Sequence, residues 1–248
     1  MKVLTREYEV RPYELGADGR LKTTSLVDFL QDIAGEHADL LGVGMKQLMP
    51  DGLTWFALRY HIRVSRWPGL RERVTIRSWP SARKRLQAIR DFEVRDAEGA
   101  LLAVAASAWV IVDPQQGRPV KLEHILSEFA DVEQRAIETN FPRIPALAPD
   151  PAAPAELYRA LREHCDANGH VNNAVYLAWA LDAMPPALQD MRPAEIEIAF
   201  KGECRPGERV AARTQLIEEG DTPVTLHLLT APESGAELVR QRTRWARF

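Results

Sequence analysis

The chain has 248 residues, a net charge of −3, 46% hydrophobic residues and 27% charged ones. That length suits one large domain or two of about 110–120 residues each, and the charge balance excludes a general pull toward nucleic acid or an anionic membrane. No apolar stretch approaches the roughly 20 residues that span a bilayer. MKVLTREYEV lacks the apolar core of a signal peptide, and two cysteines do not make a disulfide framework, so the expected setting is cytoplasmic.

The first strong helix is expected within 23–41, where Leu26, Phe29, Leu30, Ile33, Ala34, His37, Leu40 and Leu41 recur at three- and four-residue steps and form one stripe. Thr24 or Ser25 would cap it and Gly42 would stop it. Strand-like runs follow at 54–66, 71–79, 85–95 and 100–112, separated by Pro68-Gly69, Pro80-Ser81 and the turn at 96–99. The segment 113–156 carries Pro114, Pro119, Pro142, Pro145, Pro149, Pro151 and Pro154. It is expected to hold a short helix near 121–138 and then an extended linker.

The second half repeats the order: a helix over about 171–184, then strands near 194–202, 208–217, 223–230 and 236–247. A shift of 136 residues lays Glu72-Arg73-Val74 on Glu208-Arg209-Val210, Arg77 on Arg213, Gly99-Ala100 on Gly235-Ala236, Leu102 on Leu238 and Trp109 on Trp245. A helix followed by an antiparallel sheet, twice over, implies an internal duplication and an α+β layout in which each sheet wraps its own helix.

Residues 165–173, CDANGHVNN, crowd polar groups against the second helix. In an extended run, Asp166, Asn168 and His170 share one face, and the helix beginning near Val171-Asn172 brings its free N–H groups and positive end beside His170. Ester or thioester hydrolysis needs an activated water, a base for its proton, and donors where the oxyanion grows; these residues could supply all three. The same residues also fit a plain helix start, with Asn168 or Asn172 as the cap and His170 as packing.

The run D-x-N-x-H-V-N-N-x-x-Y, here Asp166, Asn168, His170, Val171, Asn172, Asn173 and Tyr176, resembles the signature of acyl-acyl carrier protein (acyl-ACP) thioesterases. LQDIAGEHADLLGVG (30–44), ARKRLQAIRDFEV (82–94), SAWVIVDPQQGRPV (107–120) and FKGECRPGERV (200–210) resemble further stretches of that family, so the likeness covers nearly the whole chain. It implies two tandem hot-dog domains; with the Pro-rich linker placed at 136–155, these are expected over 1–135 and 156–248, the second catalytic, and the apolar α-helical stripe of the first is expected to supply the acyl-chain pocket. The likeness implies a catalytic group of Asp166, Asn168, His170 and Glu203, and release of free fatty acid and holo-ACP by hydrolysis, with no cofactor and no metal. The implied partner is an acyl carrier protein bearing a fatty acyl chain, with no nucleic acid and no membrane span; a homodimer is left open. A hot-dog acyl-CoA thioesterase and a non-catalytic acyl-binding protein are the alternatives. In the expected roles, Glu203 with His170 activates water, Asp166 orients His170 or sets its charge, and Asn168 with the helix N–H groups polarises the carbonyl; direct attack by a carboxylate is the competing scheme.

The 136 shift sets Leu30, Asp32, Ala34 and Trp67 opposite Asp166, Asn168, His170 and Glu203, so the first half lacks most of the chemistry. Cys204 invites a cysteine-nucleophile reading but also fits a buried small residue. His164, Cys165, Asp166 and His170 match no standard zinc spacing. Arg83-Lys84-Arg85 with Arg90, and Arg240, Arg242 and Arg244, are either solvated sheet faces or a docking patch for an acidic carrier.

Overall fold

The structure, a computed structural model, describes residues 2–125, 132, 134–148 and 155–248. It divides into two units, Met1–Asn140 and Phe141–Phe248.

The first unit opens with β1 (Leu4–Glu9), then α1 (Thr23–Leu40), a short α2 (Met45–Leu48), β2 (Thr54–Val64), β3 (Arg73–Lys84), β4 (Gln87–Arg95), β5 (Leu101–Asp113) and a two-residue β6 (Arg118–Pro119). Its antiparallel sheet runs β1-β3-β4-β5-β2, with β6 on β5. The second unit has β7 (Glu156–Arg159), α3 (Asn173–Asp182), β8 (Arg192–Phe200), β9 (Arg209–Glu218), β10 (Val224–Thr230) and β11 (Glu237–Ala246), in the order β7-β9-β10-β11-β8. Strand for strand the two orders are the same. Each unit is one helix against a five-membered antiparallel sheet, the α+β double hot-dog layout expected.

α1 buries its stripe because a 3.6-residue period keeps Leu26, Phe29, Leu30 and Ile33 on one side. Leu30 and Ile33 are 0% exposed, and each such side chain contributes about 1.5–3 kcal/mol. Two expectations change. Thr24 and Ser25 lie inside the helix, whose N-cap is Lys22 without a side-chain hydrogen bond. Leu40 is 57% exposed, so the stripe ends a turn early. It also ends on polar ground: His37 Nδ1 lies 3.0 Å from Arg90 Nη1, which also donates to Ser78 Oγ at 3.0 Å. The stop at Gly42 stands: it adopts φ 77°, and Gly42 N–H to Asp39 O (3.0 Å) with Val43 N–H to Ala38 O (2.9 Å) close the end.

β1, β7 and the two-residue β6 are the strands that patterning missed; each is short and pairs on one side only. β3 runs on through Pro80-Ser81, where a break was expected. A register shift between Pro80 and Ala82 leaves Ser81 without a partner in the ladder and bulges the strand there, while Pro80 stays opposite Arg90.

The stretch expected as a helix near 121–138 shows a 3-10 turn at Leu122–His124. Residues 126–131 and 133 lie outside the described residues, and 134–138 are not helical. Nor is the described part of the 136–155 stretch an unattached tether. Ala136 N–H donates to the buried Asp91 carboxylate at 2.8 Å, and Ile144 packs on Ala199 and Leu226; residues 149–154 lie outside the described residues.

Candidate active site

All four expected site residues lie in the second unit. After β7 the chain makes a 3-10 turn at Arg162–His164, then a tight reversal closed by the isolated bridge between Cys165 and Val171. Asp166 N–H donates to His170 O at 2.9 Å and Gly169 N–H to Asp166 O at 3.0 Å. Gly169 sits at φ 77°, a left-handed conformation that costs a side-chain-bearing residue about 1–2 kcal/mol. The segment is therefore a turn and not an extended run, so alternation is not what assembles the polar groups.

Within the turn Asp166 Oδ1 accepts the Asn168 N–H at 2.8 Å and Oδ2 accepts from Asn168 Nδ2 at 3.4 Å, an Asx turn in which the carboxylate folds onto its own backbone two residues on. Asp166 thus holds Asn168 and not the His170 ring. Histidine finds its carboxylate elsewhere. Val171 N–H donates to Cys204 O at 3.0 Å, tying the turn to the segment after β8. That tie brings in Glu203, whose Oε2 lies 3.1 Å from His170 Nε2 with the side chains 24% (His170) and 34% (Glu203) exposed. The structure thus brings the four residues together as two pairs: Asp166 with Asn168, and His170 with Glu203.

Asn172 is the N-cap of α3, its Oδ1 accepting from Ala174 N–H at 2.8 Å. Val175 N–H donates to Asn172 O at 3.0 Å. Two of the first-turn N–H groups expected to meet a developing oxyanion are thus already committed, and the cap and the candidate centre occupy the same stretch of chain.

Cys204 is 1% exposed, and burial, followed by the neighbouring Glu208, pushes its thiol up to about 12. A thiol held protonated and out of reach is no nucleophile at neutral pH. Among the described residues no group of three His, Cys, Asp or Glu side chains is placed to hold a metal ion. The arginines of β11 are spent on acids: Arg242 Nη1 meets Glu197 at 3.3 Å and Glu195 at 3.8 Å, Arg244 meets Glu218 at 3.5 Å, and Arg240 pairs with Glu237. They are a neutralised sheet face. Arg83, Lys84 and Arg85 stand exposed at the β3–β4 hairpin, whereas Arg90 is turned to His37 and Ser78.

The backbone also corrects the internal alignment. Leu15 bridges Leu21 as Cys165 bridges Val171, and Gly19, at φ 73°, matches Gly169. Up to the helix the shift is 150, and only in the strands is it 136, because α1 and the α2 segment are longer than their second-unit counterparts. The residues opposite Asp166, Asn168, His170 and Glu203 are therefore Gly16, Asp18, Arg20 and Trp67, not Leu30, Asp32, Ala34 and Trp67. The pair Asp18-Gly19 against Asn168-Gly169 is the sequence signal that would have found this.

The model of the acyl-ACP thioesterase N-terminal domain matches residues 1–131, and that of the C-terminal domain matches 151–247. The chain belongs to the acyl-ACP thioesterase family. A palmitoyl-acyl carrier protein thioesterase from Gossypium hirsutum is 29% identical over 270 residues, which cover 98% of this chain and 63% of the relative; the chain thus spans less than two thirds of that relative's length. Among solved structures, a putative oleoyl thioesterase from Lactobacillus plantarum superposes with a TM-score of 0.88 at 26% identity, covering 99% of this chain and 96% of its own. An acyl-ACP thioesterase from Bacteroides thetaiotaomicron gives 0.86 at 25%, covering 98% and 97%.

Proposed function

We propose that this chain hydrolyses the thioester of a fatty acyl-ACP, releasing free fatty acid and holo-ACP, with Asp166, Asn168, His170 and Glu203 as its reacting group. The observation that carries this is the contact between His170 Nε2 and Glu203 Oε2, made by residues distant in sequence and partly open to solvent. Such a pair takes a proton from water as the water adds to the carbonyl, and the imidazolium returns a proton to the departing carrier thiolate. Asn168, its amide held by Asp166, polarises the carbonyl oxygen. With the Ala174 and Val175 N–H groups committed within the helix start, that duty rests on the Asn168 side chain.

The N-terminal unit is read as the acyl-chain side, on the buried face of α1 around Leu26, Phe29, Leu30 and Ala34. Ala34→Phe should then shift the preferred chain length, and unaltered preference would count against this division of labour. The exposed Arg83, Lys84 and Arg85 are read as a contact for the acidic carrier. Turnover of carrier-bound substrate should fall steeply with salt, and salt-insensitive turnover would remove that role. Two free cysteines accord with a cytoplasmic setting, and no helix among the described residues is long and apolar enough to cross a membrane.

The test is a hydrolysis screen over acyl-ACPs of several chain lengths, with the matching acyl-CoA esters and a Glu203→Gln control. The proposal expects free thiol from acyl-ACP and almost none from the variant. Preference for acyl-CoA would move the substrate class, and full activity in the variant would sink the site.

A further inference from the structure

Tyr176, one turn into α3, is 3% exposed, and its hydroxyl oxygen makes no well-formed hydrogen bond among the described residues, although the Cys204 backbone N–H acts on it. A buried hydroxyl left in that state costs about 1–3 kcal/mol, which a phenylalanine of the same shape would avoid. The ring does not wander: it meets Trp179 edge-on at 5.6 Å and 87°, and Phe200 at 6.3 Å and 60°. Burial raises the phenol's pKa most, and the polar groups acting on it after that include the Cys204 backbone and the Glu203 carboxylate. Phe200, which the ring meets, ends β8, and the segment beyond it carries Glu203 and is tied to the turn through Cys204 O.

The first unit supplies an independent control. The counterpart of Tyr176 there is Leu26, also buried, and the counterpart of Glu203 is Trp67. A phenol stands on the helix where a carboxylate must be aimed, and an aliphatic side chain where there is none.

We propose that Tyr176 is a positioning residue for Glu203, its hydroxyl engaging the Cys204 backbone amide as substrate settles and so fixing the carboxylate on His170 Nε2. Hydrogen bonds of this kind are commonly loose in the free enzyme and tighten in the complex. The inference rests on the thioesterase reading of the same site. Its test compares wild type, Tyr176→Phe and Glu203→Gln in steady-state hydrolysis of acyl-ACP, in thermal unfolding, and in the NMR resonances of the His170 ring. For Tyr176→Phe, kcat should fall about tenfold, the worth of one well-placed hydrogen bond, with KM within about twofold. Tm should be no lower than wild type, and the His170 resonances should move toward those of Glu203→Gln. Wild-type kcat, unmoved His170 resonances, or a lowered Tm with kcat and KM impaired together would each overturn the proposal and leave Tyr176 a packing residue. If the wild type hydrolyses no acyl thioester while the resonances still move, the positioning stands and the thioesterase reading falls.

Discussion

In the first unit Gly16 N–H bonds Arg20 O at 2.8 Å and Gly19 N–H returns to Gly16 O at 3.0 Å; in the second, Asp166 and Gly169 make the same two bonds at 2.9 and 3.0 Å. Leu21 N–H reaches Pro68 O at 2.8 Å where Val171 N–H reaches Cys204 O at 3.0 Å, and Lys22 N–H reaches Glu14 O where Asn172 N–H reaches His164 O. The backbone has kept one turn in both places. On it, Arg20 Nη1 rests 3.4 Å from the Trp67 carbonyl, whereas His170 Nε2 meets the Glu203 carboxylate at 3.1 Å. The turn is thus a holder that carries either set of side chains, and the proposed chemistry lies in four differences: Gly16 to Asp166, Asp18 to Asn168, Arg20 to His170 and Trp67 to Glu203.

The sharpest way to break that comparison is to empty the second turn. Glu203→Gln or His170→Ala should lower kcat/KM by about 10³-fold, within the range for a lost acid–base partner. Both side chains are partly exposed, so Tm should hold within a few degrees. Measured with one carrier-bound substrate, hydrolysis retained within tenfold of wild type in either variant would refute the assignment.

A second difference lies inside the sheets. By strand register His227 occupies the place of Phe92: each pairs with Ser78 or its equivalent Thr214 on one side, and with Ala105 or Gln241 on the other. His227 is 1% exposed, its Nδ1 at 2.8 Å from Thr214 Oγ1 and its Nε2 at 2.7 Å from Thr225 Oγ1. Burial pulls its pKa down to about 3 from an ordinary 6.5. The folded state therefore refuses a proton that the unfolded chain accepts. Stability is full above pH 6.5 and falls as pH drops from there toward 3, by up to about 1.4 kcal/mol per pH unit. Urea unfolding at pH 7, 6 and 5 should show that slope in wild type and a shallower one in His227→Phe. Equal slopes would mean other groups govern the acid response.

The architecture was legible because its signals are periodic. The α1 stripe, the strand runs and their repetition in the second half all follow from alternation and 3.6-residue spacing. Residues 165–173 stood out by composition, and Glu203 was reached through likeness to a family. The partnership of His170 with Glu203 was expected from that likeness alone, and that of Asp166 with Asn168 was not legible. That Asp166 turns to Asn168 follows from an Asx turn, and that His170 meets Glu203 follows from the Val171–Cys204 tie, a contact across some thirty residues that no local pattern records. The alignment of the halves went astray for a related reason: one shift cannot serve a duplication whose helices differ in length, 18 residues against 10. Pro80 misled because a strand can carry a proline in register and bulge at the next residue.

A smaller effect separates the two turns at their glycines. Gly19 and Gly169 sit at φ 73° and 77°, with open space where a Cβ would go, so alanine at either place should cost about 1 kcal/mol of backbone strain and little else. Unfolding should register both variants alike. Hydrolysis should drop only for Gly169→Ala, which moves the residue before His170. A Gly19→Ala variant that lost as much activity would mean that the first turn also shapes the reaction.

The smallest expected effect probes whether the first turn retains any part in the chemistry. Arg20 is exposed; its Nη1 donates to Trp67 O, and its backbone N–H donates to the Asp18 carboxylate. Removing an exposed arginine whose side chain makes a long bond to a carbonyl should change stability by less than about 0.5 kcal/mol and turnover by less than about twofold. The informative outcome is the opposite one. If Arg20→Ala raised KM for acyl-ACP tenfold while leaving kcat and acyl-CoA turnover unchanged, the turn would have exchanged catalysis for carrier recognition. A null result across all three measurements would leave it as the holder alone, kept because Leu21 and the start of α1 depend on its hydrogen bonds.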